Sequence, residues 1–165
     1  MITEQDFVVW EDRFSVDIPI IDNQHKRLIT MTNDLHKACL LSDSVEEQFR
    51  KTVRDAVYYV KYHFTTEEEI MVKTAYPGYL DHKRIHTEFA QEVLKNALYF
   101  DERKKYAPHQ FVRFLRNWVL SHVALVDSCM GEYLVGLQRM RKLCIIIMET
   151  AIHEDRPRVC SCCDL

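Results

Sequence analysis

Glycine and proline are scarce in this sequence, which also has neither a long apolar run nor a large excess of one charge. Only 3 Gly and 4 Pro occur in 165 residues, which disfavours a chain of many short strands joined by tight turns. No two of Gly78, Gly131 and Gly136 form a Gly-rich phosphate loop. The formal net charge of −3 gives no electrostatic reason to expect nucleic acid or an acidic membrane as a partner. The composition therefore favours a helical protein, and it offers no Gly-rich motif for binding phosphate.

Targeting signals are missing as well. The stretch "MITEQDFVVW" lacks the basic start and long apolar run of a secretory signal. The longest apolar stretch, "LCIIIM" at 143–148, is too short to span a bilayer. We therefore expect a cytoplasmic protein whose six cysteines are mostly reduced thiols. Three of these crowd the C-terminus, Cys160, Cys162 and Cys163, in what we expect to be a loose tail.

Apolar residues recur at helical spacing in four segments, at about 19–41, 44–74 and 79–101 and from Pro108 to about residue 131. Short connections join them, which predicts an all-α, up-down-up-down four-helix bundle. The side chains expected in its core are Ile21, His25, Leu28, Thr32 and Leu35; Val53, Ala56, Val57 and Val60; His82, His86, Phe89, Val93 and Ala97; and Phe111, either Phe114 or Leu115, Trp118, His122 and Leu125.

Two further segments flank the predicted bundle. Residues 1–17 form an N-terminal arm with Phe7, Trp10 and Phe14 as aromatic anchors. A fifth apolar stripe predicts an extra helix at 135–152, through Leu137, Met140, Cys144, Ile147 and Ala151. We therefore divide the chain into a bundle domain, 1–134, and a C-terminal extension, 135–165. The extra helix could dock on the bundle, on a second copy of the chain or on another protein.

Each predicted bundle helix carries at least one histidine on its apolar face. The first carries His25, the second His63 with Glu67, the third His82 and His86, and the fourth His122 followed by Asp127. Four helical residues turn through about 400°, so His63 and Glu67 lie about 40° apart. Five residues leave Asp127 about 140° from His122. We therefore expect Asp127 to approach a shared centre from one flank, as a short bridging carboxylate.

A metal centre explains this set better than separate core histidines do. A single buried histidine is more often a hydrogen-bonded core residue than a ligand. Five histidines and two carboxylates, however, would each cost several kcal/mol if buried without partners. A tetrahedral zinc site would use only three or four of the seven side chains. Two metal ions bridged by Glu67 and Asp127 would use them all, and the mixture of imidazole and carboxylate suits first-row transition metals.

Four segments of the chain resemble the signature segments of the hemerythrins. They are "SVDIPIIDNQH" at 15–25, "HFTTEEEIM" at 63–71, "YPGYLDHKRIH" at 76–86 and "WVLSHVALVD" at 118–127. The resemblance covers about residues 6–134, and all seven candidate ligands match in type and spacing. It implies a four-helix bundle with a non-haem di-iron centre that binds O₂ reversibly.

The resemblance also assigns roles to the ligands. His82, His86 and His122 would hold one iron, and His25 and His63 the other, which keeps a position for O₂. Glu67 and Asp127 would bridge the two irons beside an oxo or hydroxo group.

Residues near these ligands are candidates for the wall of an O₂ pocket. Trp118 precedes His122 by one helical turn, and we add Val123, Ile21 and Phe64 as further candidates.

Reversible O₂ binding, for storage, delivery or scavenging, is the function that the sequence favours. Ferritin-like di-iron proteins use Glu-x-x-His pairs, and no histidine here has Glu three residues before it. The segment "HKRIH" likewise lacks the Glu of a zinc protease. Two alternatives remain open: an O₂ or redox sensor that signals through the C-terminal extension, and a slow reductase of peroxide or nitric oxide. We thus expect a binding protein with at most weak oxidoreductase activity.

Overall fold

A computed structural model of the chain describes residues 6–41, 45–101 and 107–154, without the side chains of 99–101 and 146–154. The described residues form helices and contain no strand. The helices are α1 Pro19–Leu41, α2 Val45–Tyr59, α3 Thr65–Lys73, α4 Tyr79–Asp101, α5 Ala107–Trp118 and α6 Ser128–Glu154. The π-helical segment Val60–Phe64 joins α2 to α3, and a second one, Val119–Asp127, joins α5 to α6.

The helices pack as the predicted bundle. α1 lies against α2 and α5, and α4 lies against the same two helices from the other side. Neighbouring helices in the bundle are therefore antiparallel. α1 and α4 run in one direction, and the continuous helical segments α2–α3 and α5–α6 run in the other. The predicted all-α fold with four bundle helices and a C-terminal helix is confirmed.

The C-terminal helix starts earlier than predicted and has a different environment. α6 begins at Ser128 and continues the fourth bundle helix directly, rather than starting anew at residue 135. In its predicted apolar stripe Leu137 is partly buried, whereas Met140 and Cys144 are exposed, so the stripe is not packed on the bundle at these two positions. Among the described residues, no helix combines the length and the apolarity needed to cross a bilayer.

Two apolar clusters fill the bundle, one on each side of a polar layer. The larger contains Leu28, Tyr59, Phe89 and Trp118, and the smaller is built from Val16, Ile21, Met71, Met130 and Leu134. The seven candidate ligands form the polar layer, so they lie between the two apolar clusters. Water is thereby kept from the layer by packed side chains on both sides.

The N-terminal arm is held on the bundle by aromatic and polar contacts. Phe14 is completely buried, and Phe7 stacks on His36 with ring centroids 4.1 Å apart. The buried Asn33 side chain donates to the Val8 carbonyl at 2.8 Å and accepts from the Val8 N–H at 2.9 Å. Two of the three predicted anchors therefore have a direct structural role, and Trp10, which is half-buried, packs at the edge of the larger cluster.

The turn after α3 contains a backbone conformation that suits glycine better than the residue present. Ala75 has φ of 52°, in the left-handed region. The Tyr76 N–H donates to the Met71 carbonyl at 2.9 Å and the Ala75 N–H to the Val72 carbonyl at 3.3 Å, the pattern of a Schellman cap. An L-residue with a Cβ atom pays about 1–2 kcal/mol in this region, and glycine does not.

We expect Ala75→Gly to raise the free energy of unfolding by about 1 kcal/mol, because it removes that steric cost at an exposed position. Ala97→Gly, within α4, is the matched control and should lower the free energy of unfolding by about 1 kcal/mol. Urea unfolding measures both. A loss of stability in both variants would contradict the assignment of strain to Ala75.

Candidate metal centre

All seven candidate ligands are buried, and the four helical segments of the bundle position them in one layer. Each side chain has a relative exposure of 2% or less. His25 comes from α1, Glu67 from α3, and His82 and His86 from α4, whereas the two π-helical segments supply the remaining three, His63, His122 and Asp127.

The seven side chains form two overlapping groups of metal-ligand type. One group contains Glu67, Asp127 and three histidines, His82, His86 and His122, and the other contains the same two carboxylates with His25 and His63. Within each group, one ligand atom of each residue lies within 4.8 Å of all the others. The groups therefore have the size of two adjacent ion sites that share both carboxylates.

Each carboxylate presents one oxygen to each group. Glu67 Oε1 lies 3.5 Å from His63 Nε2, whereas Glu67 Oε2 lies 3.2 Å from His86 Nε2. Asp127 Oδ2 lies 3.2 Å from His25 Nε2, and its Oδ1 lies 3.0 Å from His122 Nε2. A carboxylate placed in this way can bind two ions at once.

The inward-facing atoms have no other use in the protein. The Nε2 atoms of all five histidines and all four carboxylate oxygens are buried and, apart from one another, have no hydrogen-bond partner among the described residues. Leaving so many polar atoms unpaired is expensive, and a cation that ligates them removes the cost. The donor set, imidazole nitrogen and carboxylate oxygen, fits ions such as iron, so the residues present fit a di-iron group.

The π-helical segment Val119–Asp127 places Asp127 where an α-helix could not. Hydrogen bonds from i to i+5 put more residues into a turn than the 3.6 of an α-helix. His122 and Asp127, five residues apart, therefore share one face instead of lying about 140° apart. The same change of register turns Leu125 outward, with 62% exposure, so the prediction that Leu125 lies in the core was wrong.

The core face of α2 also differs from the prediction. Its buried residues are Phe49, Thr52, Ala56 and Tyr59, and the next inward position is His63. Val57, predicted to be in the core, is 47% exposed. The sequence pattern allowed either face because "VYYV" at 57–60 is apolar on both sides. The buried Tyr59 was missed for this reason.

Three ligand rings are fixed from behind through Nδ1. His25 Nδ1 lies 3.0 Å from the Phe14 carbonyl oxygen, so this nitrogen donates and Nε2 carries the lone pair that faces the centre. His63 Nδ1 lies 2.9 Å from Gln24 Oε1, and His86 Nδ1 lies 3.3 Å from Glu68 Oε1. Such partners orient a metal-binding imidazole and raise its basicity.

The electrostatics of the layer keep both carboxylates ionised. Burial and the Asp127 charge push the pKa of Glu67 up, but the surrounding histidines outweigh them and lower it to about 2. The pKa of Asp127 lies well below its ordinary value, because its histidine neighbours likewise overcome burial. Burial lowers the pKa of His63 to about 4, whereas contacts with both carboxylates overcome burial at His82 and raise its pKa to about 9. Two buried anions, with the neutral imidazole of His63 beside them, attract cations strongly.

The four predicted pocket residues do not lie together. Trp118, Phe64 and Val123 belong to the larger apolar cluster, with Trp118 stacked on His122 at 3.9 Å and Phe64 stacked on His86 at 3.7 Å. Ile21 belongs to the smaller cluster, across the polar layer. The physical reason is the antiparallel packing of α1 and α5. A residue one turn before a ligand on α1 lies on the opposite side of the layer from a residue one turn before a ligand on α5. The predicted role of Ile21 in a pocket wall stays a prediction, and in the structure this residue lies on the other side of the layer from Trp118, Phe64 and Val123.

Comparison with known proteins assigns the chain to a family. The sequence model of the hemerythrin HHE cation binding domain matches residues 16–134. The chain belongs to the hemerythrin family. The match ends shortly after Asp127, so it includes all seven candidate ligands and excludes most of α6.

Relatives and solved structures agree with that assignment. A bacteriohemerythrin of Stenotrophomonas maltophilia is 31% identical over 125 residues, which cover 76% of this chain and 80% of that protein. A myohemerythrin of Riftia pachyptila is 25% identical over 72% of this chain and 87% of its own length. A crystal structure of a hemerythrin point mutant has a TM-score of 0.70 at 25% identity, with 79% of this chain and 98% of that chain covered.

A glycine in α6 permits the arm to approach the hemerythrin core closely. A Cβ atom on Gly131 would lie 2.9 Å from Val16 Cβ and 3.0 Å from the Val16 carbonyl oxygen. The same arm carries the Phe14 carbonyl that fixes His25. Gly136, one turn further along α6, has open space where its Cβ would be.

We expect Gly131→Ala to lower the free energy of unfolding by about 1–3 kcal/mol, because the Val16 backbone must move away. Gly136→Ala should instead raise it by up to about 1 kcal/mol through better helix propensity. Thermal and urea unfolding of the two variants decide the matter. Equal effects in both would show that the close approach of Gly131 to the arm is not needed.

Proposed function

We propose that this chain binds O₂ reversibly at a non-haem di-iron centre, with an oxo or hydroxo group between the irons. The observation that carries the proposal is the division of both carboxylates: each directs one oxygen to the three-histidine group and one to the two-histidine group. An arrangement for one ion would not need this division. When bound, the iron pair supplies electrons that can pass to O₂ and return.

The unequal number of histidines supports O₂ binding on one side. His82, His86 and His122 with the two carboxylates offer five ligand atoms, whereas His25 and His63 with the same carboxylates offer four. An ion that prefers six ligands therefore keeps one more position open on the His25/His63 side. The two apolar clusters keep water away from it, which favours binding over irreversible oxidation.

A role as carrier or store fits a site built in this way. The centre is sealed by Phe64, Trp118 and Val123 on one side, and it is rich in neutral imidazole rather than in Glu-x-x-His pairs. We infer a binding protein in the cytoplasm, whose di-iron unit comprises residues 1–134. Residues 135–165 form an extension, since no candidate ligand lies beyond Asp127.

Sensing is the second candidate, because one observation favours it. On α6, Met140, Leu143 and Ile145 are each more than half exposed. An exposed apolar helix that continues directly from a segment with two ligands could transmit a change at the site to a partner. In that case the exposure of α6 should depend on O₂.

Absorption spectra under repeated cycles of O₂ and argon test the proposed function. The iron-loaded protein should hold two irons and show an O₂-dependent band that appears and disappears over several cycles. Glu67→Gln should lose most of the iron, because the remaining carboxylate cannot offset the repulsion between two cations. The exposed neighbour Glu69 is the control, and Glu69→Gln should keep both the iron and the spectrum.

Two outcomes would contradict this function. One is a wild-type protein that holds a single ion after loading. The other is a pair of irons that O₂ oxidises once and argon does not restore.

A further inference from the structure

Two buried side chains that are not ligands lie directly beside the ligand layer. Tyr59 precedes His63 by four residues and stacks on its ring, with centroids 4.4 Å apart and planes 25° apart. Trp118 precedes His122 by four residues and stacks on that ring, with centroids 3.9 Å apart and planes 17° apart. Both rings therefore lie one helical turn from the centre, on the side of the larger apolar cluster.

The polar atoms of the two rings have no partner beyond each other. The Tyr59 hydroxyl and the Trp118 indole N–H are buried, the indole N–H interacts with the hydroxyl oxygen, and the hydroxyl proton has no acceptor among the described residues. Their surroundings are apolar, since Phe64 and Phe89 pack around both. Buried donors left unpaired destabilise a fold, and those that persist call for a functional reason.

The position of Tyr59 relates it to the open side of the centre. It stacks on a ligand of the His25/His63 group, which has one more open position than the other group. A cleft of about 730 Å³ between α1 and α2 is lined by Gln24, Tyr59 and His63, among others. Tyr59 and His63 are themselves almost fully buried, at 5% and 0% exposure, so the cleft borders the His25/His63 side of the centre at the Tyr59 ring.

We propose that the Tyr59 hydroxyl, assisted by the Trp118 indole N–H, donates a hydrogen bond to the small ligand held on the His25/His63 side. This inference rests on the proposed function. Both groups donate here, so the site selects ligands that accept hydrogen bonds, such as O₂ or a small anion. Tyr59 thereby determines how tightly the ligand is retained and is not needed to hold the metal.

Tyr59→Phe tests the inference, with azide as the probe. Azide accepts hydrogen bonds and binds to open positions on oxidised iron. Removing a donor to a charged ligand should weaken azide binding to the iron-loaded variant about 10- to 100-fold, while the iron content stays at the wild-type value. Tyr62→Phe is the control, because Tyr62 lines the same cleft but is 46% exposed, and it should bind azide as the wild type does.

Two further readouts separate a hydrogen bond from a packing effect. Without metal, Tyr59→Phe should be about as stable as the wild type, because it removes a buried hydroxyl whose proton has no acceptor but also removes the partner of the Trp118 N–H. In the wild type, the infrared stretch of bound azide should shift in D₂O, and Tyr59→Phe should reduce that shift. If the variant folds poorly, the D₂O experiment on the wild type still tests the inference.

The possible failures are distinct. Equal azide affinity in the wild type and Tyr59→Phe, or no D₂O shift in the wild type, would overturn the inference and leave the di-iron centre standing. A wild-type protein that holds two irons but forms no azide complex would overturn the proposed open position as well.

Discussion

Five imidazole nitrogens and four carboxylate oxygens face one another at the centre of this bundle, and the rest of the structure depends on that arrangement. Apart from one another, these atoms have no hydrogen-bond partner among the described residues. Their burial is favourable only when cations lie between them. The apolar clusters above and below make the demand stronger, because a medium of low polarity strengthens both the repulsion between the carboxylates and their attraction for metal.

The π-helical segments are the structural means by which the ligands meet. Regular α-helices supply His25, Glu67, His82 and His86 with their ordinary spacing. The fourth bundle helix has to bring two ligands, five residues apart, to the same point, and the wider turn of Val119–Asp127 makes this possible. A π-helical turn is rare and is often found at functional sites. Here the metal-binding layer explains the distortion, because the wider turn brings both ligands of the fourth bundle helix to the layer.

The sequence predicted the fold and the identity of the candidate ligands because both rest on periodicity. Apolar residues and histidines recur every three or four positions on α1 and α4, and their buried faces follow that spacing. The prediction failed where the period changes, at Leu125, or where both faces are apolar, at Val57. Spacing rules assume one helical period, so they cannot predict a change from α-helix to π-helix.

The groups behind the ligands were harder to predict. Gln24 and Glu68 are each next to a ligand in the sequence, so adjacency could have suggested them. The Phe14 carbonyl could not have been found, because every residue has one. Tyr59 could have been identified as a ring one turn before His63, but its importance comes from a hydroxyl proton that has no acceptor among the described residues, which only packing reveals.

Anomalous X-ray diffraction at the iron absorption edge, on crystals of the iron-loaded protein, tests the central claim most directly. The account predicts two anomalous peaks in each chain, one among His82, His86 and His122 and the other beside His25 and His63. Both should lie within bonding distance of Glu67 and Asp127. A single peak, or two peaks that do not share these carboxylates, would contradict it.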